Sequence, residues 1–255
     1  MAEAPPVLLV ERSDTTLLLT LNRPKRRNAL TVELARTIGD AIESRPADVR
    51  AIVITGAAPA FCAGGDLPDL SKVAEGGPIA VADVIYGNFH RLVRAITGAS
   101  VPVVAAINGP AMGAGLDLAM ACDFRVASEA AVLASSWINV GLVPGMGGAL
   151  LLARAVGSTR ASEILLLGER IDAARAESLG LVNRVVPAES LLSEAGALAT
   201  ELAKRPAVAM ARTKASLRRA LDAGLADELA TMGATQGGLL TGPDFQAVVD
   251  QMKRR

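Results

Sequence analysis

An acidic side chain set in an apolar helix, two glycine-bearing bends and the chain's single histidine are the residues whose types and spacing could do chemistry. Val101 to Ile107 is an unbroken apolar run that reads as a buried strand. Asn108, Gly109 and Pro110 break it, and Gly113-Ala114-Gly115 follow. Leu116, Leu118, Ala119 and Met120 then favour helix, with Asp117 among them. A strand that passes through small residues into a helix leaves free N–H groups at the helix start. With the helix dipole behind them, these groups suit a phosphate, a carboxylate or an enolate oxygen. The small residues let a ligand approach the backbone. Asp117 would stand in the first turn, where the dipole favours a carboxylate whether or not it does chemistry. Its apolar neighbours leave it poorly hydrated, so burial raises its pKa while the dipole lowers it. His90 reads either as an acid–base group or as a helix-surface residue beside Arg91.

Several elements must position these groups. Val7–Val10 and Leu17–Leu21 read as a hairpin around Ser13-Asp14. A basic loop over 22–30 ends at Thr31, the expected N-cap of a helix from Val32 to Glu43. Arg50–Thr55 is a second buried-strand candidate, running into a Gly/Ala-rich loop over 56–67 that holds the second bend, Gly64-Gly65. Residues 71–78 read as a mobile polar loop, and Ile79–Ile96 as one amphipathic helix carrying Tyr86, Phe89 and His90. Beyond Asp117, strands are expected at 124–127, 131–134 and 181–186, loops at 135–137 and 141–148, and helices near 147–155, 159–167 and 172–178. After Pro187 the pattern is helical, with breaks at Pro206, Gly224 and Gly242-Pro243. The class is therefore α/β, with a core over 1–195 and a helical C-terminal region over 196–255.

Composition narrows the function. Lysines and arginines number 26 against 26 acidic residues, so no net charge argues for nucleic acid. Hydrophobic residues make up 51% and aromatics 2%, so the core is built from Ala, Val, Leu and Ile. Cys62 and Cys122 lack metal-ligand spacing and read as small buried hydrophobes of a reducing compartment; no metal site is expected. No apolar run reaches the ~18 residues of a membrane helix, and the N-terminus lacks a signal-peptide pattern. The expectation is a cytoplasmic protein without membrane or nucleic-acid partners.

Five segments, NRPKRRNAL, AFCAGGDL, PVVAAINGPAMGAGLDLAMACDFRVAS, GLVPGMGG and IDAARAESLGLVNRVV, resemble in order and spacing those of the enoyl-CoA hydratase/isomerase (crotonase) superfamily. The resemblance implies a crotonase-like spiral of ββα units whose helical C-terminal region builds trimers, often paired into hexamers. It implies an acyl-CoA thioester substrate of fatty acid metabolism, with coenzyme A arriving as part of the substrate and no permanently bound cofactor. By motif, the N–H groups of Gly65 and Ala114 become the oxyanion hole for the thioester enolate. Such donors contribute ~3–4 kcal/mol each when charge develops on the oxygen. Lys25, Arg26 and Arg27 fall where the family places the nucleotide phosphates, Leu67 falls along the pantetheine channel, Ala63 and Trp137 are further substrate-binding candidates, and Asp66 reads as a structural carboxylate bonded to backbone.

The chain also departs from the pattern. Of the two glutamates of typical hydratases, the first position holds Asp117 and the second holds Trp137, whose indole is only a hydrogen-bond donor. The position after Pro144, where many isomerases of the family keep a carboxylate, holds Gly145. His90 and Trp137 are placed like residues of the chlorobenzoyl-CoA dehalogenases, whose nucleophilic aspartate would fall at Gly145. Three readings follow: an isomerase in which Asp117 alone moves the proton, a hydratase whose water is held by Asp117 with Ser136 or Asn139, or an acyl-CoA-binding protein without turnover. The expected activity is that of the enoyl-CoA hydratase/isomerase type, lyase or isomerase, with Asp117 as acid/base.

Overall fold

The computed structural model describes residues 5–219 and positions 235, 236, 243, 245 and 247. The breaks expected at Gly224 and Gly242 lie outside the described residues. Strands β1 (Leu8–Ser13) and β2 (Thr16–Leu21) form the expected hairpin, turning at Asp14 with φ +48°. A 3-10 turn over Pro24–Arg26 leads to α1 (Val32–Glu43), where the Thr31 side chain accepts from Leu34 N at 3.1 Å and caps the helix as expected. β3 (Ala51–Gly56) is buried throughout.

Residues 71–74 and 77–78 are helical, with a two-residue turn at 75–76 between them, which corrects the loop expected there. α2 (Leu67–Ala74) starts at Asp66, whose carboxylate accepts from Asp69 N, and Pro68 sits in its first turn. α3 (Gly77–Ala80), a π-helical turn over Val81–Tyr86 and α4 (Gly87–Gly98) follow. The amphipathic helix read over 79–96 is therefore real but carries a π segment where it turns Tyr86 toward the site.

The central unit is β4 (Val103–Ile107), β5 (Ala111–Met112) and α5 (Ala114–Ala121), every residue of α5 being buried. Next come β6 (Phe124–Ser128), β7 (Val132–Ala134), a 3-10 turn over Ile138–Val140 and α6 (Gly148–Leu167). Gly157, at φ +76° and ψ 162°, splits α6 into the two helices read from sequence. β8 (Ile171–Asp172), α7 (Ala173–Ser178) and β9 (Arg184–Val186) complete the core. β9 is shorter than the 181–186 expected because the N–H groups of Leu181 and Val182 return to Ala176 O and close α7. α8 (Leu191–Ala203) and α9 (Ala207–Arg219) are the helical C-terminal elements, broken at Pro206 as expected.

Six strands pair in the order β1-β2-β3-β4-β6-β9, parallel from β2 onward, and β5-β7-β8 form a second small sheet. Period-2 alternation sends Ile52, Ile54, Val103 and Ala105 to one face, against Leu34, Ile38, Phe89 and Leu92 of α1 and α4. Ala51, Val53, Val104 and Ala106 face Leu191, Ala195 and Ala199 of α8. Residue 195, the boundary read from sequence, is thus a contact residue in the middle of α8. Each fully buried Leu or Ile contributes about 1.5–3 kcal/mol. Cys62 and Cys122 are buried and unpaired, and burial pushes their thiols up to about 11 and about 12.

Candidate active site

Both glycine-bearing bends are held by backbone pairing. Met112 N donates to Cys62 O at 3.0 Å, and Cys62 N to Pro110 O at 3.1 Å. This bridge lays the loop over 62–65 alongside the start of α5. A Cβ on Gly115 would collide with Cys62 O, and one on Gly64 (φ +111°) would sit 3.1 Å from Met112 O, so only glycine allows the approach. On the other side, Leu30 N donates to Gly64 O at 2.7 Å, and Asp66 N to Leu30 O at 2.9 Å. These bonds flank Gly65 and leave its own N–H without an acceptor among the described residues. Ala114 is the first residue of α5, preceded by Gly113 at φ +49°, and its N–H likewise has no acceptor among them.

Asp117 lies one turn into α5 and is wholly buried. Its Oδ2 accepts the indole N–H of Trp137 at 3.0 Å, while Oδ1 makes no hydrogen bond among the described residues. Burial pushes the carboxyl up to about 7, against the weaker pull of the Trp137 N–H and the Met146 amide. Gly148, at the start of α6, packs so closely that an added Cβ would overlap Oδ1. The indole covers Gly113, its Cε2 lying 3.6 Å from where a Cβ there would stand. Trp137 therefore fills the place beside Asp117 and fixes one of its two oxygens.

Across the loop over 141–148, Tyr86 packs on Gly145 and His90 Nε2 donates to Gly145 O at 2.8 Å. The two rings are 5.3 Å apart. His90 is exposed, so it holds this loop rather than reaching the buried carboxyl. Ser136 Oγ lies 3.3 Å from a Cβ built on Gly113, beside the indole. Asn139 is turned to Gly168, donating to its carbonyl at 3.0 Å.

Lys25, Arg26, Arg27, Ala63, Gly65 and Leu67 line one open cavity of about 440 Å³, with Asp66 in its wall. The structure so brings six of the sequence-predicted residues together at one mouth. Arg26 is also drawn to Asp66, 3.6 Å away, and Arg23 bonds the same carboxylate at 2.9 Å. Burial alone would raise the Asp66 carboxyl, yet the Arg23 hydrogen bond, the Asp69 amide and the two arginine charges hold it below its ordinary value. Asp66 is thus bonded to backbone, as read from sequence, and ion-paired as well.

Sequence reasoning missed Asn28, Arg23, Met146 and Gly148. Asn28 is fully buried at φ +57°; its amide donates to Ala57 O and Ala60 O, both at 2.7 Å, and its Oδ1 accepts from Arg23 N at 2.9 Å. It ties the basic turn to the loop that carries Gly65. An Asn in a turn, followed by an apolar residue and a cap, was the available signal. Met146 and Gly148 gave none, because their closeness to Asp117 arises from the tertiary path of α6.

A family model described as "Enoyl-CoA hydratase/isomerase" matches residues 11–239. A Mycobacterium tuberculosis protein named "Probable enoyl-CoA hydratase echA8" is 37% identical over 225 residues, 87% of this chain and 85% of that protein. The Escherichia coli 2,3-dehydroadipyl-CoA hydratase is 38% identical over 227 residues, covering 87% of each. The crystal structure of an enoyl-CoA hydratase from Polaromonas superposes with a TM-score of 0.91 at 36% identity over 97% of both chains.

Proposed function

The chain belongs to the enoyl-CoA hydratase/isomerase family, and from that premise we propose that it polarises an acyl-CoA thioester with the N–H groups of Gly65 and Ala114 and moves a proton with Asp117. The observation that carries the reading is Asp117: a buried carboxyl with a pKa about 7, one turn past an unbonded helix-start amide, with one oxygen unbonded. Such a group is balanced between acid and base at neutral pH, the optimum for proton transfer in either direction. The open amides, preorganised by the Cys62–Met112 bridge and the Leu30 pairing, receive the charge that appears on the thioester oxygen. Lys25, Arg26 and Arg27 attract the phosphates of coenzyme A at the mouth, which Leu67 flanks. Coenzyme A enters and leaves as part of the substrate. Assembly into trimers or hexamers, on the pattern of the family, belongs to the same proposal.

Trp137 favours double-bond migration over hydration. Migration needs one group that removes a proton from one carbon and returns it to another. Hydration needs a water to be activated as well as a proton to be delivered, and the indole N–H cannot take a proton from water. Asp117 Oδ2, engaged by that N–H, keeps the carboxyl oriented, and Oδ1, packed against Gly148, makes no hydrogen bond among the described residues.

The test is turnover of crotonyl-CoA, longer 2-enoyl-CoAs and 3-enoyl-CoAs by the wild-type protein and by Asp117→Asn. The expected result is turnover, faster on 3-enoyl-CoAs, that falls at least a hundredfold in the variant while acyl-CoA affinity stays within about twofold. Tight binding with no turnover of any enoyl-CoA would make the protein an acyl-CoA binder instead.

A further inference from the structure

His90 does not reach Asp117, yet a single peptide group stands between them. The turn over 144–148 is closed by Gly147 N, which donates to Pro144 O at 3.2 Å. On its outer side the turn is held from the helix that carries Tyr86 and His90. His90 Nε2 lies 2.8 Å from Gly145 O, and since a carbonyl only accepts, Nε2 carries the proton. Tyr86 fills the space into which a side chain at Gly145 would project. On its inner side Met146 and Gly148 are buried. Gly148 packs on Asp117 Oδ1, and the Met146 amide stands close enough to the carboxyl to favour its charged form. The Gly145 carbonyl and the Met146 N–H belong to one planar unit. His90 bonds one end of that unit, and the other end faces Asp117.

Bonds in series polarise one another, so a donor on Gly145 O strengthens the Met146 N–H as a donor by roughly 10–30%. The bond also fixes the plane of the peptide, and with it the direction of that N–H. The receiving end is wholly buried, where a dipole weighs more than it does at the surface. At the other end the imidazole is exposed, and its ring lies 5.3 Å from that of Tyr86. The neighbouring charges are directed elsewhere or to solvent: Arg91 is taken by Asp40 and Glu43 of α1, while Asp83 and Arg94 are exposed. The groups acting on Asp117 itself are the Trp137 N–H and the Met146 amide, both neutral.

We infer that His90 is a positioning residue for Asp117: by holding the Gly145 carbonyl it sets the Met146 amide against the carboxyl. The inference rests on the reading of Asp117 as the proton-moving group and adds the residue that tunes it. Its sign follows from the geometry. Without the donor on Gly145 O, the Met146 N–H is a poorer partner for the anion, so Asp117 keeps its proton to higher pH.

Trp137 is the chain's single tryptophan and its indole bonds Asp117 Oδ2, so its fluorescence reports the ionisation of that carboxyl without any turnover. The experiment is a pH titration of this emission in the wild type, Asp117→Asn, His90→Ala, His90→Leu and His90→Gln. The wild type is expected to show a step at about pH 7 that Asp117→Asn lacks. In His90→Ala the step is expected to move up by at least about half a pH unit, roughly a threefold weaker hold on the anion. His90→Leu keeps apolar bulk against Tyr86 without a donor, and is expected to move the step as far. His90→Gln, whose side-chain amide donates to the same carbonyl, is expected to return the step to within about 0.2 units of the wild type. An unmoved step in His90→Ala, a shift that His90→Leu abolishes, or an equal shift in His90→Gln overturns the inference. So does a wild type without an Asp117-dependent step. The shifts found as expected, in a protein that turns over no enoyl-CoA, uphold the link from His90 to Asp117 and overturn the acyl-CoA reading alone.

Discussion

Asp117 is a carboxyl that folding holds in its acid form. In the unfolded chain it ionises near 3.8, and in the fold, where burial dominates, near 7. The folded state therefore binds a proton that the unfolded state has lost between these values, so the stability this proton confers is complete below about 4 and is lost as pH rises through about 7. At 1.36 kcal/mol for each tenfold change in proton affinity, the ceiling on that loss is about 4 kcal/mol. Asp117→Asn keeps an oxygen for the Trp137 N–H and removes the titration. In thermal melts it is expected to match the wild type at pH 4 and to exceed it in stability at pH 8. An equal difference at both pH values would contradict a raised pKa. Trp137→Phe deletes the donor that favours the anion, so the pKa of Asp117 rises further. The rising limb of the pH–rate profile, expected near 7 in the wild type, then moves to higher pH, and an unmoved limb would assign it to another group.

The start of α6 packs on that carboxyl, and Gly115 in α5 and Gly148 in α6 leave no room for a Cβ. Gly148→Ala places a methyl group on Asp117 Oδ1, which is expected to cost about 1–3 kcal/mol of stability and to lower kcat more than it raises KM. Denaturant unfolding and steady-state kinetics would read the two effects separately. Asn28→Ala removes three hydrogen bonds and leaves two carbonyls and an amide unpaired around a buried position. A loss of about 2–4 kcal/mol is expected, along with weaker acyl-CoA binding, since the basic turn and the Gly65 loop come apart. Elements of this kind were legible where local chemistry decides them. Thr31 capping α1, the division between helices at 147–155 and 159–167, and a strand within Val101–Ile107 follow from the cap residue, the interrupted helical pattern and the apolar run. Residues 71–78 were misread because polarity and glycine outweighed the cap at Asp66 and the proline after it. The shortening of β9 was hidden because Leu181 and Val182 are as apolar as a strand requires, and their N–H groups are taken by α7.

Over the whole molecule the sheet separates two cores, and α9 is pinned to one end of it by a buried charge. Lys214 Nζ lies 2.7 Å from Asp123 Oδ2 and donates to Ile96 O and Val101 O, both at 3.0 Å. Burial lowers the pKa of this amine, and the adjacent Asp123 charge resists that fall. Lys214→Met keeps the stem and deletes the charge, leaving two carbonyls unpaired. The expected cost is about 3–5 kcal/mol, with faster tryptic cleavage after Lys204 and Arg212 as α9 loosens. None of this was legible in the sequence, since Lys214 and Asp123 are distant along the chain and each looks like an ordinary surface residue. No described helix is long and apolar enough to cross a membrane. The mouth residues were legible through the resemblance and the glycine bends through their composition. The link from Asp117 to Trp137 was not, because a 20-residue separation carries no local signal.

The central claim is that one carboxyl and two backbone amides make and quench an enolate of an acyl-CoA. Exchange of the α-protons of butyryl-CoA in D2O, followed by mass spectrometry, isolates that step from hydration and migration alike. The account predicts deuterium at the carbon next to the thioester with the wild-type protein, and none with Asp117→Asn although butyryl-CoA still binds. No exchange by the wild type, or equal exchange by the variant, would contradict it.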